Sequence, residues 1–327
     1  MLLSDHTTLR LGGPAARFVE AETDDEVIAA VRAAGDDVLI LGGGSNLVVG
    51  DAGYDGTVVS IQTRGWKAER DGTLWAAAGE RWDDVVERAV TTGYAGIECL
   101  SGIPGLVGAT PIQNVGAYGQ EVSDTIVSVR AYDRRAGAVV DLTPEQCGFA
   151  YRDSAFKQDP SHYVVLRVTF RLRPTAAHEA NPIRYGELAR SVGENPTLQQ
   201  VRDAVLALRR SKGMVLDADD HDTWSAGSFF TNPILDRSDV PEGAPQFEQP
   251  GGRVKTSAAW LIDHAGFAKG YTPPGARVGI STKHVLALTN RGGGTTAQLT
   301  ALAQEIQAGV LKTYNIALVP EPVFVQT

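Results

Sequence analysis

The chain has 327 residues, 43% of them hydrophobic, a composition that excludes a disordered segment or a mini-protein and leaves room for about two domains. Its net charge of −9 speaks against broad nucleic-acid binding, yet residues 251–327 sum to +4 and residues 1–250 to −13, so an anionic ligand is expected toward the tail. Glycine is abundant at 36 residues, without a collagen-like period, and points to tight turns or to backbone that approaches a ligand closely.

The opening run MLLSDHTTLRLGG lacks the basic start and apolar core of a secretion signal. Thr23 and Glu26 form a capping box, and Val27, Ile28 and Val31 supply the apolar face of a short helix that ends at Gly35. Residues 38–41 read as a buried strand, Gly42 to Asn46 as a glycine loop and residues 47–49 as a second strand. A dinucleotide-binding βαβ fingerprint needs its glycine loop to open a helix, so that fold is disfavoured. Strands follow at about 58–61 and 74–78, then a helix at about 81–90 with Val85, Val86, Ala89 and Val90 inward.

Residues 99–119 are free of charge and long enough to suggest a membrane span. Pro104, Pro111, Gln113, Asn114 and the glycines contradict that reading. A hairpin is expected across 133–137 between strands 126–132 and 138–142, and another strand at 163–172. Further helices are expected at about 197–210, 257–264 and 295–314, with a turn-rich stretch at 217–252 and a final strand at 317–325. Separate helices with antiparallel strands imply an α+β fold. Cys99 and Cys147 have no metal-ligand spacing and are expected as reduced thiols in a cytosol. The acids Asp217, Asp219, Asp220 and Asp222 around His221 lack a glycine-pinned ligand loop, so a solvated turn is expected and no metal.

The run from Ser101 to Gly119 carries the most chemistry. Its glycines free backbone N–H groups to cradle a phosphate without lysine, with the Thr110 hydroxyl and the side-chain amides of Gln113 and Asn114 as added donors. As a purely structural loop it would bury unpaired backbone groups.

In chain order, the segments TLRLGGPA, LGGGSNLVV, LSGIPGLVGATPIQNVGAYGQEV, FAYRDSAFK, RRSK, SAGSFFTNP, SAAWLID, GFAKG and LVPEPVFV resemble the UDP-N-acetylenolpyruvoylglucosamine reductase family over nearly the whole chain. These are flavoenzymes of peptidoglycan precursor synthesis. The resemblance implies a vanillyl-alcohol-oxidase type of FAD-binding domain in two lobes, residues 1–60 and 61–174, plus a separate α+β substrate domain, residues 175–327. It implies non-covalent FAD held by Gly42, Gly43, Gly44, Ser45 and Asn46, and by Ile103, Gly105, Gly108, Ala109, Thr110, Gln113, Asn114 and Gly119. It implies NADPH as hydride donor and UDP-N-acetylglucosamine enolpyruvate as substrate, while the charge balance, the opening run and the absence of an exposed heptad or basic stripe lead us to expect a cytoplasmic monomer without nucleic-acid or membrane partners. The tyrosine in IRYGEL, Tyr185, and the ATPIQN form of the loop are similar to the family's first type.

By the same resemblance Arg152, Ser228 and Glu321 stand at the catalytic positions, and Tyr185, Arg209, Lys212, Asn232, Lys269 and His284 at substrate contacts. A guanidinium suits a carboxylate whose charge grows, and a serine can protonate a strongly basic carbanion. Read alone, these residues have ordinary alternatives: an Arg152 ion pair with Asp153 or Asp159, a Ser228 turn hydroxyl, a solvated Glu321, a structural His284 and, for Arg209 and Lys212, a basic helix C-terminus. Two functional alternatives also stand: an FAD oxidase acting on a small alcohol, and a non-catalytic nucleotide-sugar sensor.

Overall fold

The structure, a computed structural model, describes residues 1–325. Packing divides the chain into two compact units. One holds residues 16–43 and 55–211; the other holds residues 1–15 and 44–54 together with the chain from Lys212 onward. Packing therefore cuts the chain differently from the expected segments 1–60, 61–174 and 175–327. The helix Leu198–Ser211 belongs with the first unit because Arg202 on it is 7% exposed and pairs twice with Asp83, at 2.6 and 3.0 Å.

In the first unit, the helix Asp24–Ala34 starts at the expected Thr23–Glu26 capping box and ends at Gly35, whose φ is 63°. Strand Val38–Leu41 runs parallel to Tyr54–Ile61, with Leu39 opposite Val58, and Ala15–Ala21 completes this three-stranded sheet. A five-stranded antiparallel sheet follows, in the order Ala138–Leu142, Ile126–Asp133, Tyr163–Arg171, Thr73–Ala77, Trp66–Ala68. The hairpin across 133–137 forms with Asp133 opposite Ala138. Helix Trp82–Thr91 buries Trp82, Val85, Val86, Ala89 and Val90 completely, and the Trp82 ring lies 5.8 Å from that of Phe170. Truncating a buried aromatic of this kind costs about 3–5 kcal/mol. Cys99 and Cys147 are buried free thiols, each pushed up to about 12 by loss of solvent.

The second unit is built around helix Thr296–Tyr314. Leu299, Leu302, Ile306 and Val310 recur at helical spacing and are buried with Phe229, Phe230, Val278, Ile280 and Leu286. The final strand is much shorter than the expected 317–325: Val323–Val325 pairs parallel to Leu47–Val49, and ahead of it Pro320 makes a single antiparallel bridge with Phe230. Pro320 and Pro322 have no N–H to give a ladder, so the preceding residues are held by single bonds instead. Among the described residues no helix is long and apolar enough to cross a membrane.

Candidate active site

Two glycine loops of the first unit meet backbone to backbone. A Cβ on Gly43 would lie 2.7 Å from the Cα of Gly105, so only glycine permits the approach. The amides of Gly42, Gly43, Ile103, Gly105 and Leu106 donate to no protein group among the described residues, and all five residues are half-buried. Half-buried donors left in this state suit the oxygens of an anionic ligand. The donor set therefore fits FAD, whose pyrophosphate needs N–H groups.

Other parts of the run from Ser101 to Gly119 act differently from expectation. The Thr110 hydroxyl donates back to the Val107 carbonyl at 2.8 Å and is buried. Asn114 Nδ2 donates to Glu121 at 2.9 Å and to the Ala150 carbonyl at 3.1 Å, while its Oδ1 accepts the Ser123 amide. The side chains of Thr110 and Asn114 are thus internal braces, not the added ligand donors that residue type suggested. The Gly108 amide is committed to Ala78, and those of Ala109 and Thr110 to Leu106 and Val107. A Cβ on Gly108 would come within 2.5 Å of that of Ala78, so this glycine brings the loop against the sheet.

Arg152 lies in a two-residue turn closed by reciprocal bonds between Ala150 and Asp153. Its φ is +54°, a left-handed conformation that strains a residue with a Cβ by about 1–2 kcal/mol. The guanidinium donates to the Gly116 carbonyl at 2.6 Å and to that of Asn114 at 3.3 Å, with Glu121 at 3.9 Å. Neither expected surface partner holds it: Asp159 pairs with Arg135 and Asp153 with Gln158. The turn thereby delivers a permanent cation to the end of the glycine loop. Lys157, unremarked in the sequence although it closes FAYRDSAFK, donates to the Arg152 carbonyl at 2.7 Å.

Tyr185 packs edge-on against Tyr118 with centroids 5.3 Å apart. Gly119 admits this contact, since a Cβ there would come 3.2 Å from that of Arg184. Tyr118 escaped the sequence reading because nothing in its local pattern distinguishes it from a packing residue. Arg209 has its pKa lowered by burial, an effect opposed by Tyr118 and Asp83. It lies half-buried in the basic last turn of helix Leu198–Ser211.

The other expected residues lie in the second unit. A Cβ on Gly44 would overlap the His6 carbonyl, and Asn46 accepts the Val323 amide at 2.9 Å through its backbone. The amide of Glu321 donates to the Phe229 carbonyl at 2.9 Å, and the Phe229 amide donates to Leu286 at 2.8 Å. Ser228 immediately precedes this pinned residue, in a turn opened by Gly227 with φ +75°. Its half-buried hydroxyl makes no hydrogen bond among the described residues. Ser228 and Glu321 are therefore carried on adjacent backbone, a proximity that no local pattern reveals.

Lys212, Lys269 and His284 share one electrostatic neighbourhood. Burial first, and then the two ammonium groups, push the His284 imidazole down to about 4. It is neutral at ordinary pH, and the cations around it suit a pyrophosphate. Asn232 accepts the Ala258 amide at 2.9 Å and so helps cap helix Ala258–His264. The acidic turn is not simply solvated: Asp220 binds Lys283, and Asp222 accepts from both the amide and the hydroxyl of Thr282. These bonds secure the turn that carries His284. Among the described residues no group of acids, histidines or cysteines could hold a metal.

Residues 15–143 match the family model "FAD binding domain", and residues 219–325 match "UDP-N-acetylenolpyruvoylglucosamine reductase, C-terminal domain". Proteins named UDP-N-acetylenolpyruvoylglucosamine reductase from Streptomyces coelicolor and Thermobifida fusca are 57% and 55% identical to the chain. Each comparison covers 99% of it, and 88% and 96% of the respective relatives. The chain belongs to the UDP-N-acetylenolpyruvoylglucosamine reductase family. A crystal structure of the reductase from Thermus caldophilus superimposes with a TM-score of 0.71 at 26% identity, covering 100% of this chain and 98% of that one. Membership in this reductase family makes the protein an oxidoreductase, with a vanillyl-alcohol-oxidase type of FAD-binding domain in an α+β architecture and FAD as its cofactor.

Proposed function

We propose that the protein reduces UDP-N-acetylglucosamine enolpyruvate to UDP-N-acetylmuramate with NADPH, in peptidoglycan precursor synthesis, using Arg152, Ser228 and Glu321 as its catalytic residues. When bound, FAD supplies hydride transfer from NADPH to the terminal vinyl carbon of the substrate. Gly42 to Asn46, Ile103 and Gly105 offer backbone to hold it, and the close-packed Gly108, Ala109, Thr110, Gln113, Asn114 and Gly119 shape the remaining wall.

The protein's own task is electrostatic and protonic. Negative charge grows on the carbon beside the carboxylate, where Arg152 provides a fixed positive charge and Glu321 assists, directly or through a bridging proton. Ser228 delivers a proton to that carbon; serine is acidic enough for so basic a centre when it is held in place. Lys212 and Lys269 near His284, together with Arg209, Tyr185 and Asn232, are the proposed contacts for the diphosphate and sugar. Residues 1–60 and 61–174 serve the flavin and residues 175–327 the substrate. The working form is a cytoplasmic monomer, a state checked by light scattering in solution.

The observation that supports this reading is the main-chain hydrogen bond of 2.9 Å from Glu321 to Phe229, which ties the backbone of residue 321 to the residue that follows Ser228. Its test is Ser228→Ala under anaerobic conditions. Reoxidation of reduced enzyme by the enolpyruvyl sugar should slow by about two to four orders of magnitude, with flavin reduction by NADPH nearly intact. Reoxidation at the original rate would remove Ser228 from the chemistry.

A further inference from the structure

We infer that Lys157 is a positioning residue that holds Arg152 in its left-handed turn. The inference rests on the catalytic reading of Arg152 and extends it to Lys157, whose ammonium bonds the Arg152 backbone.

A closed circuit of hydrogen bonds supports it. The Ser154 hydroxyl donates to the Ile112 carbonyl at 2.5 Å, fixing the segment to the flavin loop, and it also accepts the Lys157 amide as the cap of helix Ala155–Gln158. From that helix the Lys157 ammonium reaches back to the Arg152 carbonyl at 2.7 Å. Asn114 grips the other end of the turn at the Ala150 carbonyl, and the Arg152 guanidinium returns to Asn114 and Gly116. Arg152 has a φ of +54°, which glycine adopts freely and arginine does not. A strained residue persists only where its surroundings over-determine it. Asn114 fixes the carbonyl before the turn and Lys157 the carbonyl of the strained residue itself. An ammonium suits the second task because a charge-assisted bond is stronger than a neutral one.

Lys157→Met keeps the aliphatic stem and removes the donor; Lys157→Arg restores a cationic donor. With Lys157→Met, kcat for reduction of the enolpyruvyl sugar should fall about 10- to 100-fold, as expected for a displaced charge. KM should change less than twofold, flavin reduction by NADPH should keep its rate, and Lys157→Arg should recover most of the loss. Crystal structures should show φ of Arg152 leaving the positive region in the Met variant. In an Arg152→Ala background the Met substitution should have no added effect. The inference fails if Arg152 keeps its conformation in the Met variant, if the two substitutions multiply, or if KM rises with kcat unchanged, which would make Lys157 a substrate contact. If Arg152→Ala alone reduces the enolpyruvyl sugar at the original rate, the catalytic reading of Arg152 fails and this inference with it, whatever φ the Met variant shows.

Discussion

The backbone N–H of Glu321 donates to the carbonyl of Phe229 at 2.9 Å, joining the segment that follows the last helix to the turn of Ser228. Phe229 is fully buried, so the junction is anchored in the core of its unit. Main-chain bonds position residue 321, and its side chain can be changed without releasing the backbone. Glu321→Gln should leave stability within about 0.5 kcal/mol in thermal unfolding and lower kcat for enolpyruvyl reduction about 10²- to 10⁴-fold. An unchanged kcat would assign the carboxylate no part in the chemistry.

Gly43 faces Gly105 across a gap that a methyl group would close to 2.7 Å from the Cα. Backbone cannot give way as a flexible side chain does. Gly43→Ala should destabilise the protein by about 1–3 kcal/mol and reduce flavin retention, measured as the ratio of flavin to protein absorbance after gel filtration. Full retention with unchanged melting would show that the two loops tolerate separation.

His284 should titrate near 4, well below the ordinary histidine value of 6.5. Because its folded pKa is depressed, the unfolded chain binds more protons between those values. Its contribution to stability is complete above pH 6.5 and is lost as pH falls toward 4, with a slope of at most about 1.4 kcal/mol per pH unit. Lys212→Met or Lys269→Met should raise the imidazole pKa in a histidine NMR titration, as should added UDP, whose diphosphate offsets the two ammonium groups. A titration midpoint above 6 in the ligand-free protein would refute this arrangement.

Asp83 accepts two bonds from the nearly buried Arg202 and a third, at 2.6 Å, from the amide of Gly102 at the start of the second glycine loop. The guanidinium and these bonds hold its carboxyl below the usual range against the opposing effect of burial. Asp83→Ala would leave the nearly buried Arg202 with only the more exposed Glu87, 3.6 Å away, as an ion-pair partner and should cost about 3–5 kcal/mol in denaturant unfolding. Loss of flavin should accompany it, since Gly102 would lose its anchor. A loss below 1 kcal/mol would show that the existing Glu87 pair, with water, is enough to hold Arg202.

Local patterns made much of this protein legible from sequence. The Thr23–Glu26 capping box, the spacing of Leu299, Leu302, Ile306 and Val310, and the 133–137 hairpin all depend on residues within a few turns of one another. The order of the glycine-rich and other family-like segments likewise carried the family. Tertiary structure decided what those patterns leave open. Residues 44–54 pack with the chain beyond Lys212, Glu321 hangs from Phe229, and Arg152 is bent into a left-handed turn braced by Asn114 and Lys157. It also turned Thr110 and Asn114 inward and shortened the last strand to Val323–Val325. The physical reason is range: capping and periodicity are settled by neighbours along the chain, whereas a donor's partner and a residue's strain are settled by groups that only folding brings within hydrogen-bond distance.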